Sequence, residues 1–358
     1  MNIGITCQLS KSIWSGSIKQ AAINLYECLE NCGFKPMYLS DSTVVSDFKK
    51  DHRAFNINNI SHDKFPKLDM IIMHGFYLKS SELIFIKNKF PNIKIVLFYI
   101  TDRIISDQQS LLSGNNFMER LTVLDEVWLY PHHSNCAQYI KAYHATEATV
   151  KTVPFLWSPF YINHAKKNNN LEFDKTREPQ ILVLEPNNNA FKTCLVPLLI
   201  CETFNRSFQN CCASFSFFNT DKLKTNKGAK ELISNFSVSQ QDKIFLNKQW
   251  KTIDAVDRLG QYILSHTLSP EINYLFLESL HLGLPLIHNS SYIKEYGYYY
   301  PDNNIMLAAN QIYNCILNHS ENLDVYKQEN NKLINSLLPS NQSNINKYKN
   351  IISHLLQK

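Results

Sequence analysis

The sequence predicts an α/β protein built from two doubly wound, Rossmann-like domains facing a central cleft. Three observations carry this. Short apolar runs of strand length alternate with helical stretches, the alternation halts at a polar linker and begins afresh, and 358 residues exceed what one hydrophobic core usually serves. A hydrophobic content of 44%, with 12% aromatic residues, excludes a disordered chain. Only 9 glycines and 13 prolines argue against the serial tight turns of a small-strand barrel or propeller. The formal charge of +5 suits a small-molecule enzyme or one that meets a polyanion, and by itself selects neither.

Ile3 to Cys7 reads as a buried strand. After a loop containing Gly16 comes a helix from Ser17 to Asn31, closed by Gly33, and then a strand from Pro36 to Leu39. Leu68 to His74, Ile93 to Ile100, Glu126 to Tyr130 and Val150 to Phe155 continue the strands of this half. Trp157-Ser158-Pro159 and the polar run Lys166 to Asn170 read as a linker. The second half restarts with strands at Gln180 to Glu185, Cys212 to Phe218, Lys243 to Leu246, Gln261 to Ser265 and Leu286 to Asn289. Lys192 to Cys201 and Pro270 to Leu282 are its helices, and Asn344 to Gln357 is a last helix beyond Pro339. The expected domains are therefore 1–160, 175–338 and a C-terminal helix within 339–358 that folds back on the first domain. Ligands of such sheets bind outside the carboxyl ends of the strands.

The nine cysteines form no Cys-x-x-Cys and mostly sit in apolar runs, where a free thiol behaves as a small hydrophobe. With no basic leader and no apolar run of membrane-spanning length, the expectation is a cytoplasmic protein without a membrane span.

The segment from Ser265 to Asp302 carries the most chemistry. Ser269 is a good N-cap, Pro270 suits the first helical position, and Gly283 with Pro285 closes the helix. A helix start aimed into a cleft offers free N–H groups and partial positive charge to a phosphate. Glu271 and Glu278 stand seven residues apart, two turns, so on one helix their carboxylates would share a face about 10 Å apart. The alternative is a dipole-complementing Glu271 and a surface Glu278.

Glu271 to Asn289 resembles the acidic helix of GT-B glycosyltransferases, and Glu278-Ser279-Leu280-His281-Leu282-Gly283-Leu284-Pro285-Leu286 follows that pattern closely. Retaining members separate their two glutamates by seven residues, whereas six intervene here. Glu185-Pro186-Asn187, Lys192-Thr193-Cys194-Leu195, Asn273-Tyr274 and His288-Asn289-Ser290 through Asp302 resemble a bacterial and viral GT-B-like group known only as a domain of unknown function. The resemblance covers most of the second half well and the first half by layout.

It implies a nucleotide-sugar donor held by the second domain, with Glu278 on the ribose hydroxyls and Lys192 on the diphosphate. Ser269, Asn273 and Tyr274 would join them, with Glu271 near the reacting sugar. Lysine and helix amides can stabilise a departing nucleoside diphosphate without a metal. The chain has no Asp-x-Asp motif, so no metal ligand is assigned. The donor, a UDP-sugar first among candidates, would be a co-substrate rather than a tightly bound cofactor.

In the first half, the Gly16 loop sits where GT-B proteins face donor phosphate and acceptor, although an ordinary βα turn reads the same. His74 ends a buried strand and could orient the acceptor or sugar, or be a structural histidine. Asp102 follows the strand ending at Ile100 and could act as general base on an acceptor hydroxyl, unless Arg103 pairs with it. The run Phe98 to Gln108 is weakly similar to phage glucosyltransferases that modify hydroxymethylcytosine in DNA. Double-stranded DNA would use the basic excess as an acceptor, and a glycan is the other acceptor class. His132 and His133, adjacent on a helix, would point apart and share no metal, and Lys222 to Lys230 reads as a solvated loop. The expectation is a GT-B-like glycosyltransferase, with a non-catalytic two-lobed binding protein as the rival.

Overall fold

The computed structural model of the protein describes residues 1–10, 17–41, 51–115, 117–188, 191–269 and 271–357. These residues divide into two compact units, 1–158 with 335–358, and 159–334. Residues 161–174, which the sequence leaves between domains, belong to the second unit, as do 159 and 160.

The first unit holds β1 (Asn2–Thr6), α1 (Ser17–Asn31), β2 (Lys35–Ser40), β3 (Ala54–Asn56), β4 (Met70–Met73), α2 (Ser80–Lys89) and β5 (Lys94–Tyr99). It continues through α3 (Arg103–Leu112), β6 (Glu126–Leu129), α4 (Ala137–His144) and β7 (Thr149–Thr152). The strands form one parallel sheet in the order β3-β2-β1-β4-β5-β6-β7. β4 and β6 are buried at every position, whereas the edge strand β7 has none buried. Such runs, Met70–Met73 and Glu126–Leu129, are legible because helices cover both faces of a parallel sheet.

The second unit holds α5 (Phe160–Lys166), β8 (Gln180–Val183), α6 (Leu195–Ser207), β9 (Ser214–Phe217), α7 (Asp221–Thr225), α8 (Lys227–Ser234), α9 (Ser237–Gln240) and β10 (Ile244–Leu246). Then come α10 (Thr252–Arg258), β11 (Tyr262–Leu264), α11 (Tyr274–His281), β12 (Leu286–His288), β13 (Tyr298–Tyr299) and the long α12 (Ile305–Leu337), whose end from Asn335 belongs to the first unit. Its parallel sheet has the order β10-β9-β8-β11-β12-β13. Lys222 to Lys230, read as a loop, folds into α7 and α8, and Asn226 caps α8 by accepting the Ala229 N–H at 2.9 Å.

Each sheet reverses direction once. The chain moves outward from β1 through β2 to β3 and then starts again at β4 on the other side; β8, β9 and β10 followed by β11 repeat the pattern. At such reversals neighbouring loops leave in opposite directions, which opens a crevice at the carboxyl ends. His74 and Asp102 lie at carboxyl ends in the first sheet, as do Glu185 and Ser265 in the second.

The last helix, α13 (Gln342–Gln357), packs against α1 within the first unit. The Tyr348 hydroxyl donates to the Pro154 carbonyl at 2.9 Å, and the Tyr348 ring meets Trp128 edge-on at 6.0 Å.

Candidate functional site

The reversal in the second sheet is built around a buried carboxyl. Glu185 follows β8 by two residues, and its Oε1 accepts the Ser265 hydroxyl at 2.5 Å and the His266 N–H at 3.2 Å, both just past β11. His266 Nδ1 pairs in turn with the Tyr300 hydroxyl at 3.0 Å. Burial pushes Glu185 up to about 7, against the opposing pull of the Ser265 hydrogen bond, the Lys192 charge and the His266 N–H, and with further repulsion from Glu271. In the sequence, Glu185 stands within the Glu185-Pro186-Asn187 motif with no role assigned to it. The available signal was a carboxylate closing an apolar run, Ile181 to Leu184.

The loop after Glu185 is shaped by Asn187, whose φ of 50° lies in the left-handed region that Asn tolerates. Its N–H donates to the Lys192 carbonyl at 3.2 Å, its side-chain amide donates to the Phe218 carbonyl at 3.0 Å, and its Oδ1 accepts the Cys194 N–H at 2.7 Å. These bonds fix where Lys192 starts. The Lys192 ammonium forms an ion pair with Glu271, both side chains being largely covered. Lys192 and Glu271 are therefore brought together, with Glu185 near enough to feel both charges.

The helix after Ser265 departs from the sequence reading. It starts at Tyr274, and its N-cap is Asn273, whose Oδ1 accepts the Phe276 N–H at 3.0 Å; Ser269 is not the cap. Pro270 lies outside the described residues. Glu271 consequently sits on the strap before the helix, and the shared helical face of Glu271 and Glu278 does not exist. The cause is tertiary. Asn289 accepts the Thr267 N–H at 2.9 Å and donates to the Thr267 carbonyl at 2.8 Å, while the Thr267 hydroxyl donates to the Ser269 carbonyl at 2.8 Å. The Ser290 hydroxyl then donates to the Glu271 carbonyl at 2.5 Å, so this backbone is satisfied from outside and has no need of a helix.

Glu278 lies inside α11 and is 8% exposed. Its carboxyl has no hydrogen bond or ion pair among the described residues, and burial alone pushes it up to about 8. An unpaired buried carboxyl is expensive to keep, and such groups concentrate where a ligand supplies the missing donors. Ser269 is buried and Tyr274 opens the helix.

In the first unit, His74 follows β4 and is fully covered, its ring edge-on to Phe98 at 5.3 Å. Neither ring nitrogen has a hydrogen-bond partner among the described residues, and burial lowers the imidazole to about 4, which keeps it neutral. Asp102 is the N-cap of α3: its Oδ1 accepts the Ile105 N–H at 3.1 Å and the Cys136 thiol at 3.4 Å. Arg103 pairs with Asp107 at 2.5 Å and not with Asp102. Gly16 lies outside the described residues. His132 and His133 occupy a 3-10 helix, Pro131–Cys136, and their rings come to 4.3 Å instead of pointing apart as on an α-helix. The tighter winding brings neighbours closer in projection.

Two parallel sheets of this order, each with its polar groups at the reversal, define an α/β fold of the GT-B glycosyltransferase type. The chain belongs to the family described as "Protein of unknown function (DUF2827)", whose model matches residues 3–352. Among curated proteins none matches the sequence. Similar solved structures include a glycosyltransferase from Rickettsia africae ESF-5, with 15% identity, a TM-score of 0.56, and coverage of 100% of this chain and 99% of that one. An α,α-trehalose 6-phosphate synthase from Burkholderia multivorans has 11% identity and a TM-score of 0.58, covering 99% of this chain and 98% of that one. The DNA-modifying enzyme β-glucosyltransferase, solved in the presence and absence of uridine diphosphoglucose, has 10% identity, a TM-score of 0.52 and full coverage of both chains.

Proposed function

We propose that the protein is a glycosyltransferase that takes a sugar from a nucleotide-sugar, a UDP-sugar first, and transfers it to a hydroxyl acceptor. The observation that carries this reading is Glu278, a buried carboxyl on a helix of the second unit without a partner among the described residues. A ribose presents two adjacent hydroxyl donors, and a carboxylate can accept both. Lys192, at the carboxyl edge of the same sheet, supplies the cation for the diphosphate, whose charge grows as the glycosidic bond breaks. Retention and inversion place different demands on the first unit. His74, neutral and with both nitrogens unengaged among the described residues, supports a role in orienting a sugar or acceptor hydroxyl. Asp102 supports general-base work only through whatever capacity its capping bond leaves.

A hydroxymethylated cytosine of double-stranded DNA is one acceptor in keeping with the +5 charge and with the DNA-modifying neighbour; a glycan is the other. The test begins with thermal shift and donor hydrolysis across UDP-, GDP- and dTDP-sugars. It continues with transfer to hydroxymethylcytosine-containing DNA and to glycan acceptors. Binding of one nucleotide that is lost in Glu278→Ala, together with turnover, is expected. Binding without turnover on any acceptor would make the protein a ligand-binding relative, and no nucleotide-induced shift would end the donor reading.

A further inference from the structure

The ion pair between Lys192 and Glu271 creates an electrostatic puzzle. The Lys192 ammonium is paired with the Glu271 carboxylate, and its charge also reaches the buried Glu185. A diphosphate approaching Lys192 would meet an ammonium already paired with a carboxylate. The Glu271 backbone gives the pair a mechanical character as well. Ser290 holds the Glu271 carbonyl at 2.5 Å and Asn289 fixes Thr267 on both its polar backbone atoms, so the strap is anchored by its backbone, whereas the carboxylate pairs, among the described residues, with Lys192.

We propose that Glu271 is a displaceable counter-ion: it holds Lys192 while the donor site is empty, and an entering diphosphate takes the lysine by ejecting the carboxylate. The inference rests on Lys192 as the diphosphate group, and deepens that reading by giving Glu271 a role other than contact with the reacting sugar. The exchange selects by charge. A diphosphate offers more charge and more acceptor oxygens than the carboxylate it replaces, whereas a single weakly charged phosphate offers little advantage. The ejected carboxylate remains on its strap near the diphosphate and repels it, which favours release of the nucleoside diphosphate after transfer. A ligand without phosphate leaves the pair intact.

Calorimetric titration of the full chain provides the test, with inorganic pyrophosphate and the free nucleoside of whichever nucleotide binds as probes. Glu271→Gln is expected to bind pyrophosphate about tenfold more tightly than wild type, since removing a largely covered competing ion pair is worth about that factor. Nucleoside affinity is expected to stay the same. Lys192→Met should abolish pyrophosphate binding with either residue at 271. Glu271→Asp keeps the charge but shortens its reach, and should fall between wild type and Glu271→Gln; it also serves if the glutamine variant does not fold. Equal or weaker pyrophosphate binding by Glu271→Gln would overturn the proposal, as would a parallel shift in nucleoside affinity, which would indicate a general disturbance. If wild type and Glu271→Gln bind neither probe, the donor-site reading itself fails.

Discussion

Glu185 and Ser265 meet at 2.5 Å across the reversal of the second sheet, although 80 residues separate them. The hydroxyl donates to the ionised carboxyl and opposes the effect of burial. Ser265→Ala is expected to cost roughly 1–3 kcal/mol of stability, the price of leaving a buried acceptor short of a donor. The loss should be larger at about pH 8 than at about pH 6, because the missing bond served the charged form. Urea unfolding at the two pH values checks this.

Glu278 should write its own pH dependence into stability. Its carboxyl is raised from 4.5 to about 8, so the folded state binds its proton more tightly than the unfolded chain. The contribution is fully present below the ordinary carboxyl range and is lost as pH rises through that window to about 8. Glu278→Gln, which stays neutral, is expected to flatten this fall by a few kcal/mol in denaturant titrations across the range. Nucleotide binding should restore the ionised form and release a proton near neutral pH, measurable as a buffer-dependent heat of binding.

Asp102 can be separated into cap and base by chemistry. Asp102→Ala removes the acceptor for the Ile105 N–H and is expected to destabilise by about 1 kcal/mol. Asp102→Asn retains a good capping oxygen and should leave the melting temperature nearly unchanged. If the carboxylate also accepts a proton during transfer, Asp102→Asn should lower kcat sharply while nucleotide affinity stays at the wild-type value. Unchanged kcat would confine Asp102 to capping.

Two glycines predict opposite responses. At Gly260 a Cβ would stand 2.6 Å from the Gln180 carbonyl oxygen, backbone that cannot retreat without disturbing β8. Gly260→Ala is therefore expected to lose about 2 kcal/mol or more. Gly228 lies in the helix Lys227–Ser234, where the nearest atom to a Cβ, Asn226 Oδ1, is at an ordinary 3.5 Å. Gly228→Ala should gain about 0.5 kcal/mol, since alanine forfeits less backbone freedom in a helix. Thermal melts of the two variants compare them directly.

What the sequence made legible was what local forces decide. Helix Ser17–Asn31 ends where its periodicity and Gly33 indicate, and the buried strands lie within one to three residues of their apolar runs. Where two local signals competed, the sequence could not choose. Ser269 and Asn273 are both good caps, and the choice fell to Asn289 and Ser290, which occupy the preceding backbone from about twenty residues away. The Glu185 network was hidden for the same reason, since its partners Ser265 and His266 are contributed by another strand. β3, three residues at a sheet edge with none buried, leaves almost no hydrophobic pattern to read.

The first unit is interrupted by the second along the chain, since residues 335–358 rejoin residues 1–158 after 159–334 have intervened. During synthesis, the face of α1 that packs against α13 must therefore wait, uncovered, until the whole second unit has been made. The Tyr348 bond to Pro154 closes a gap of 194 residues. Closing so long a loop is entropically expensive unless folding of the intervening unit shortens it first. The order of maturation is thereby written into the chain: the unit carrying Lys192 and Glu278 can finish early, and the unit carrying His74 and Asp102 is completed last.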